Sequence, residues 1–212
     1  ERNILTLEDP IEYQLPGISQ MQVSTKKGMT FATGLRAVLR QDPDIIMVGE
    51  IRDEETARMA VQSSLTGHLV FSTLHTNNAA GAISRLLDLG IEPYLAASSL
   101  LASVAQRLVR QVCKTCVFAT RLGNDELRRL GVDASLEGAE IVNARGCEAC
   151  GGTGYRGRKG IFEMLVVDEK IRALIVSKAK TSEIERAAVA CGMATLRKDA
   201  VRKLLEKQTT VE

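Results

Sequence analysis

Three short apolar runs, each stopping abruptly at polar residues, constrain this chain more than any other feature. Ile4-Leu5-Thr6-Leu7 ends at Glu8-Asp9-Pro10, Ile45-Ile46-Met47-Val48 at Gly49-Glu50, and Leu69-Val70-Phe71-Ser72-Thr73-Leu74 at His75. Runs of this kind, bounded by turn residues, read as strands, the first two of them buried. The segments between them have helical spacing. Leu35, Val38 and Leu39 share one face of 30–41, which Asp42-Pro43 stops; 54–65 is amphipathic and ends near Gly67. Asn77 or Asn78 caps a further helix to about Leu89, with Gly90 as its stop. Pro93 is expected to open one long helix through about Val112. Alternating strands and helices predict an α/β fold with a mostly parallel sheet and helices on its faces. Ligands in such sheets bind beyond the carboxyl ends of the strands, where the polar residues of this chain fall.

IIMVGE has the generic form of a magnesium-binding strand in nucleotide hydrolases, with Glu50 at its tip. Phosphoryl transfer needs a metal held against phosphate oxygens and a group that activates the attacking water. A strand end fixes a carboxylate as tightly as that task requires, although an acid there equally serves to cap the next helix. ILTLEDPIEY adds Glu8, Asp9 and Glu12. On neighbouring parallel strands, Glu8 and Glu50 would leave the sheet at one edge. Two carboxylates there repel unless a cation lies between them or one takes up a proton. The pair thus supplies a metal carboxylate and a water-activating one. His68 and His75 are the only histidines and flank the third run. His75, beside Thr73, Thr76 and Asn77, is placed to meet a phosphate oxygen or a neighbouring subunit; His68 is either a site residue or a brace for the turn. Arg36, Arg40 and Arg52 lie near these motifs. Each either stabilises transition-state charge, in its own subunit or across an interface, or pairs with Asp42, Asp44 or Asp53.

After Cys113 the texture changes to loops, glycines and short elements until about Gly160. Three helices are then expected over 168–178, 181–190 and 194–207, with Ser182 and Glu185 at capping-box spacing. Cys113, Cys116, Cys147 and Cys150 form two Cys-x-x-Cys knuckles. Two such knuckles complete a closed, tetrahedral structural zinc site, which would hold together a region lacking its own core. Cys191, in helical context, is read as a small core residue. The expected organisation is 1–112 as the sheet domain, 113–160 as the zinc module and 161–212 as a helical region. Net charge is +2 and aromatics are 3%, which argues against a nucleic-acid surface; a zinc-ribbon nucleic-acid module, supported by the cysteines and the run Arg156, Arg158, Lys159, is the reading from another class. No apolar run approaches the roughly 20 residues of a membrane span, and the first residues do not form a signal peptide. A cytoplasmic location is expected, with membrane contact through partners or the basic run.

LTLEDPIEY, LRAVLRQDPDIIMVGEIRDEETA, TGHLVFSTLHTNNAAGAISRLLDLGIEP and GCEACGGTGYRGRKGIFE resemble the Asp box, Walker B, His box and cysteine module of the type II secretion and type IV pilus assembly ATPases. The resemblance runs essentially end to end and leans toward the type II secretion member. It implies a RecA-like ATPase using ATP, Mg²⁺ and Zn²⁺ and working as a homo-hexamer at the inner membrane. Its partners would be a membrane platform protein and the cytoplasmic domain of a second membrane protein, without nucleic acid. By motif position, Glu50 corresponds to the Walker B glutamate and Glu8 to the Asp-box glutamate proposed as general base. Asp9, Glu12, Arg52, His68 and His75 would surround the nucleotide and metal. The family also uses a G-x-x-x-x-G-K-[S/T] phosphate loop, which this sequence does not contain; Gly152–Lys159 is one residue too long and is followed by Gly160. The chain is therefore read as a fragment at both ends, expected to bind ATP poorly alone and to have reduced stability.

Overall fold

The computed structural model describes residues 2–24, 26 and 28–211. The chain forms two compact units, Glu1–Ser103 with Val166–Ala188, and Val104–Leu165 with Val189–Glu212.

The first unit carries the α/β sheet that the strand–helix alternation predicts. Strands β1 (Ile4–Glu8), β2 (Ser19–Gln22), β3 (Ile45–Val48) and β4 (Leu69–Ser72) lie in the order β2-β1-β3-β4. All pairings are parallel: Leu7 sits opposite Met21 on one side and Val48 on the other, and Val48 sits opposite Ser72. The three expected strands are therefore adjacent and end together. β2 was not expected, because Ser-Gln-Met-Gln has no apolar run to mark it. Helix α1 (Phe31–Val38) begins at Thr30, whose hydroxyl accepts the Thr33 N–H. It packs so closely on β1 that a Cβ on Gly34 would fall 2.6 Å from Leu7 Cδ2. Helix α2 (Glu54–Leu65) is capped by Asp53 and α3 (Ala79–Asp88) by Asn78. The core includes Leu7, Leu35, Val38, Ile46, Val48 and Ile83; burying a side chain of this size contributes about 1.5–3 kcal/mol.

The long helix expected from Pro93 does not form. Helix α4 (Pro93–Ser99) ends after two turns and the chain becomes strand β5 (Ala102–Val112), which pairs with β8 (Tyr155–Val166). Tertiary pairing overrides helical spacing here. In β8, Ile161, Glu163 and Leu165 are buried while Phe162, Met164 and Val166 are exposed. Helices α6 (Glu169–Val176) and α7 (Thr181–Ala190) complete the elements expected in this region. The capping-box pair does not form as spaced: Glu183 accepts the Lys180 N–H at 3.3 Å, and Glu185 instead accepts from Asn78 Nδ2 at 3.1 Å. Cys191 is exposed rather than in the core, because α7 ends at Ala190 and the chain turns at Gly192 with φ +101°.

In the second unit β6 (Val117–Arg121) and β7 (Glu140–Ala144) form an antiparallel pair. Leu122, Leu127, Ile141 and Leu204 form its core, drawing on α5 (Asn124–Leu130) and α8 (Leu196–Leu205). Two buried carboxylates join β8 to α8: Glu163 accepts the Leu196 N–H at 3.1 Å and Asp199 accepts the Phe162 N–H at 2.9 Å. Arg202 donates to Asp199 Oδ1 through both Nε and Nη2. Burial pushes the Asp199 carboxyl up, but the Phe162 N–H and the Arg202 guanidinium outweigh it and hold the group below the usual carboxylate range. Among the described residues no helix is long and apolar enough to cross a membrane.

Candidate active site and metal centre

The carboxyl ends of β1, β3 and β4 open into a cavity of about 360 Å³ lined by Glu8, Asp9, Glu12, Glu50, Arg52 and His75, with Met47, Gly49 and Thr73 among the other walls. Five backbone and side-chain links fix its rim. Gly49 N–H donates to Leu7 O at 2.7 Å and Ile51 N–H to Thr73 O at 3.0 Å. Thr73 Oγ1 donates to Gly49 O at 2.7 Å. Glu50 Oε2 accepts from Arg52 Nε and lies 3.2 Å from His75 Nε2. The Glu50 side chain is 13% exposed, whereas Arg52 and His75 are 66% and 82% exposed; the acid is withdrawn and its partners face outward.

Glu8 is held in the same manner through a single oxygen. Its Oε1 accepts from Thr6 Oγ1 at 2.6 Å and from Gln20 Nε2 at 2.8 Å. Gln20 carried no signal in the sequence, because the strand that places it opposite Thr6 was not legible.

The structure does not bring His68 to this cavity. It precedes β4, at the amino end of the strand, and its Nδ1 lies 2.9 Å from Ser63 O and 3.1 Å from Thr66 Oγ1. It braces the end of α2, where the last carbonyls lack helical partners. Arg36 pairs with Glu55 at 2.6 Å, so it is engaged outside the cavity. Asp44 pairs with Arg2, and Asp53 caps α2.

The cavity offers oxygen donors, which suit a hard divalent cation. Among the described residues its acids do not converge into a ready-made cage. Magnesium is commonly bound this way, through one or two carboxylates completed by waters and substrate phosphates.

The four cysteines converge in the second unit. Their sulfurs all lie within 4.8 Å of one another. Cys113–Cys147 and Cys116–Cys150 are separated by 3.9 Å, and Cys147–Cys150 by 3.8 Å. A tetrahedral site with Zn–S bonds of about 2.3 Å puts its sulfurs about 3.8 Å apart. Backbone N–H groups aim at the sulfurs. The Cys147 N–H, aided by that of Gly154, brings the Cys150 thiol down to about 6, and the Thr115 N–H lowers Cys113; burial pushes Cys116 up to about 12. Such donors favour the thiolate form that a metal binds.

Comparison with known proteins adds the family. The family profile described as "Type II/IV secretion system protein" matches residues 1–212. The chain is 56% identical over 211 residues to type II secretion system protein E of Pseudomonas aeruginosa, covering all of this chain and 42% of that protein. It is 52% identical over 213 residues to the type IV pilus assembly ATPase PilB of Thermus thermophilus, covering all of this chain and 24% of that protein. It thus spans less than half the length of these relatives. Among solved structures, it is similar to the pilus retraction motor PilT with bound ADP, at a TM-score of 0.68 and 27% identity, over 99% of this chain and 50% of that one. The chain belongs to the type II/IV secretion system protein family.

Proposed function

We propose that this chain is part of an ATP-hydrolysing motor subunit of a bacterial type II protein secretion system, powering pseudopilus assembly at the inner membrane. The observation that carries the reading is the convergence of Glu8 and Glu50 on one cavity beyond adjacent parallel strands. The solved relative that binds ADP supports a nucleotide as the ligand.

On this reading Glu50 is the Walker B acid and holds Mg²⁺, directly or through water, with Asp9 and Glu12 adding negative charge nearby. Magnesium supplies charge neutralisation at the phosphate oxygens when bound. Glu8 accepts a proton from the attacking water. The water oxygen then bonds to the γ-phosphorus, the bond from that phosphorus to the bridging oxygen breaks, and the electron pair leaves with the β-phosphate. ADP and phosphate are the products. Arg52 and His75 hold Glu50 Oε2 and face the side from which phosphate or a second subunit approaches. The 212 residues contain no G-x-x-x-x-G-K-[S/T] loop, so the reading assigns the phosphate cradle to residues outside them. The working assembly is a ring of six, docked at the membrane through a platform protein and the cytoplasmic domain of a second membrane protein. The cysteine cluster binds Zn²⁺ as a closed structural site.

The test is turnover in the complete natural protein. Glu8→Gln and Glu50→Gln should each lower kcat for ATP hydrolysis by a factor of about 100 or more, the scale of a lost general base or metal carboxylate. Normal rates in both variants would overturn the reading. A pilus-assembly motor is the second reading, favoured by the 52% identity to PilB. The platform protein that co-purifies distinguishes the two systems.

A further inference from the structure

We propose that Gln20 is a positioning residue for Glu8, dictating which carboxylate oxygen meets the attacking water; this rests on the reading of Glu8 as the water-activating group. A glutamate on its own is a poor general base to aim, because three side-chain torsions are free to turn. Here one oxygen is pinned twice. Thr6 Oγ1 and Gln20 Nε2 both donate to Oε1, which uses both of its lone pairs. Oε2 is then the atom left to face water. The two donors come from adjacent places in the sheet: Thr6 is buried two residues before Glu8, and Gln20 is its partner across the β1–β2 ladder.

The direction of the Gln20 amide is itself dictated by its surroundings. Its Oε1 accepts the Leu15 N–H at 2.7 Å, and its Nε2 donates to Tyr13 O at 2.9 Å as well as to Glu8. A flipped amide would set its carbonyl against the Glu8 carboxylate and its NH₂ against the Leu15 N–H. Every polar capacity that fixes the orientation agrees, so the amide has one stable setting, and in that setting it donates to Glu8.

The test uses the complete natural protein. Gln20→Leu should lower kcat for ATP hydrolysis roughly ten- to hundred-fold, the cost of a misplaced reacting group, while KM changes less than about two-fold. The decisive comparison is made in the Glu8→Gln background, on the residual rate. If Gln20 acts through Glu8, adding Gln20→Leu there costs nothing further. An equal fold-loss in both backgrounds, a loss confined to KM, or a wild-type kcat overturns the proposal. Should Gln20→Leu alter the thermal melt, Thr6 decides: Thr6→Val should slow turnover and Thr6→Ser should not, and a wild-type rate for Thr6→Val overturns it. Glu8→Gln turning over normally would sink the functional reading itself; a slow Glu8→Gln beside an unimpaired Gln20→Leu would sink only the positioning role.

Discussion

Each of the two central acids of the cavity has one oxygen tied down by neighbours. For Glu50 the ties are Arg52 and His75, both largely exposed. Arg52→Ala should therefore lower kcat and also weaken magnesium dependence, measured as the Mg²⁺ concentration giving half-maximal turnover; an unchanged value would show that Arg52 does not set Glu50. These residues were readable because each follows a short apolar run, and a strand end delivers its next residue to the rim. His68 shows the limit of that argument. A histidine on either side of a strand looks equivalent in the string, yet only the one after the strand reaches the carboxyl edge. Gln20 shows the converse, since hydrogen bonds across a polar strand leave no periodicity. A different acid carries a pH prediction. Folding lowers the pKa of Asp199, so its stabilisation is complete above the unfolded value of about 3.9 and is lost as pH falls through the lower folded value. Asp199→Asn should cost about 1–3 kcal/mol near neutrality, and its deficit against wild type in thermal melts should narrow as pH falls below the unfolded value; a deficit that stays undiminished on acidification would contradict this.

At the level of elements, Gly34 marks where α1 meets β1. A methyl group 2.6 Å from Leu7 Cδ2 forces the helix or the leucine aside. Gly34→Ala should destabilise the first unit by about 1–3 kcal/mol despite its better helix propensity, and a rise in Tm would refute the packing argument. The cysteine site makes its prediction through metal content. About one zinc per chain is expected, and a chelator should speed hydrogen exchange across 113–154 while leaving β1 and β3 protected; unchanged exchange in the cysteine loops would rule out a structural role for the metal. The site was legible because Cys-x-x-Cys spacing is chemistry written locally. The strand β5 was not. Val104, Leu108 and Val112 recur every fourth residue, the period of a helix, and only pairing with β8 reveals the strand. β8 itself hides its alternation, because Phe162 and Met164 are as apolar as the buried Ile161 and Leu165, while the polar Glu163 is on the buried side.

Across the whole molecule, the two units are interleaved along the chain: it leaves the first at Ser103 and re-enters it at Val166. The α/β sheet could be anticipated from order alone, whereas this return could not, since no composition change marks it. The four-stranded sheet also has a free flank. Among the described residues β4 is paired only with β3, and its Leu69 and Phe71 are exposed. In a parallel sheet those residues belong under cover. The edge of a sheet beside two exposed apolar side chains is sticky. Handled by itself at high concentration, this polypeptide should tend to zip onto copies of itself along that flank, and a lysine placed at Phe71 should keep it dispersed.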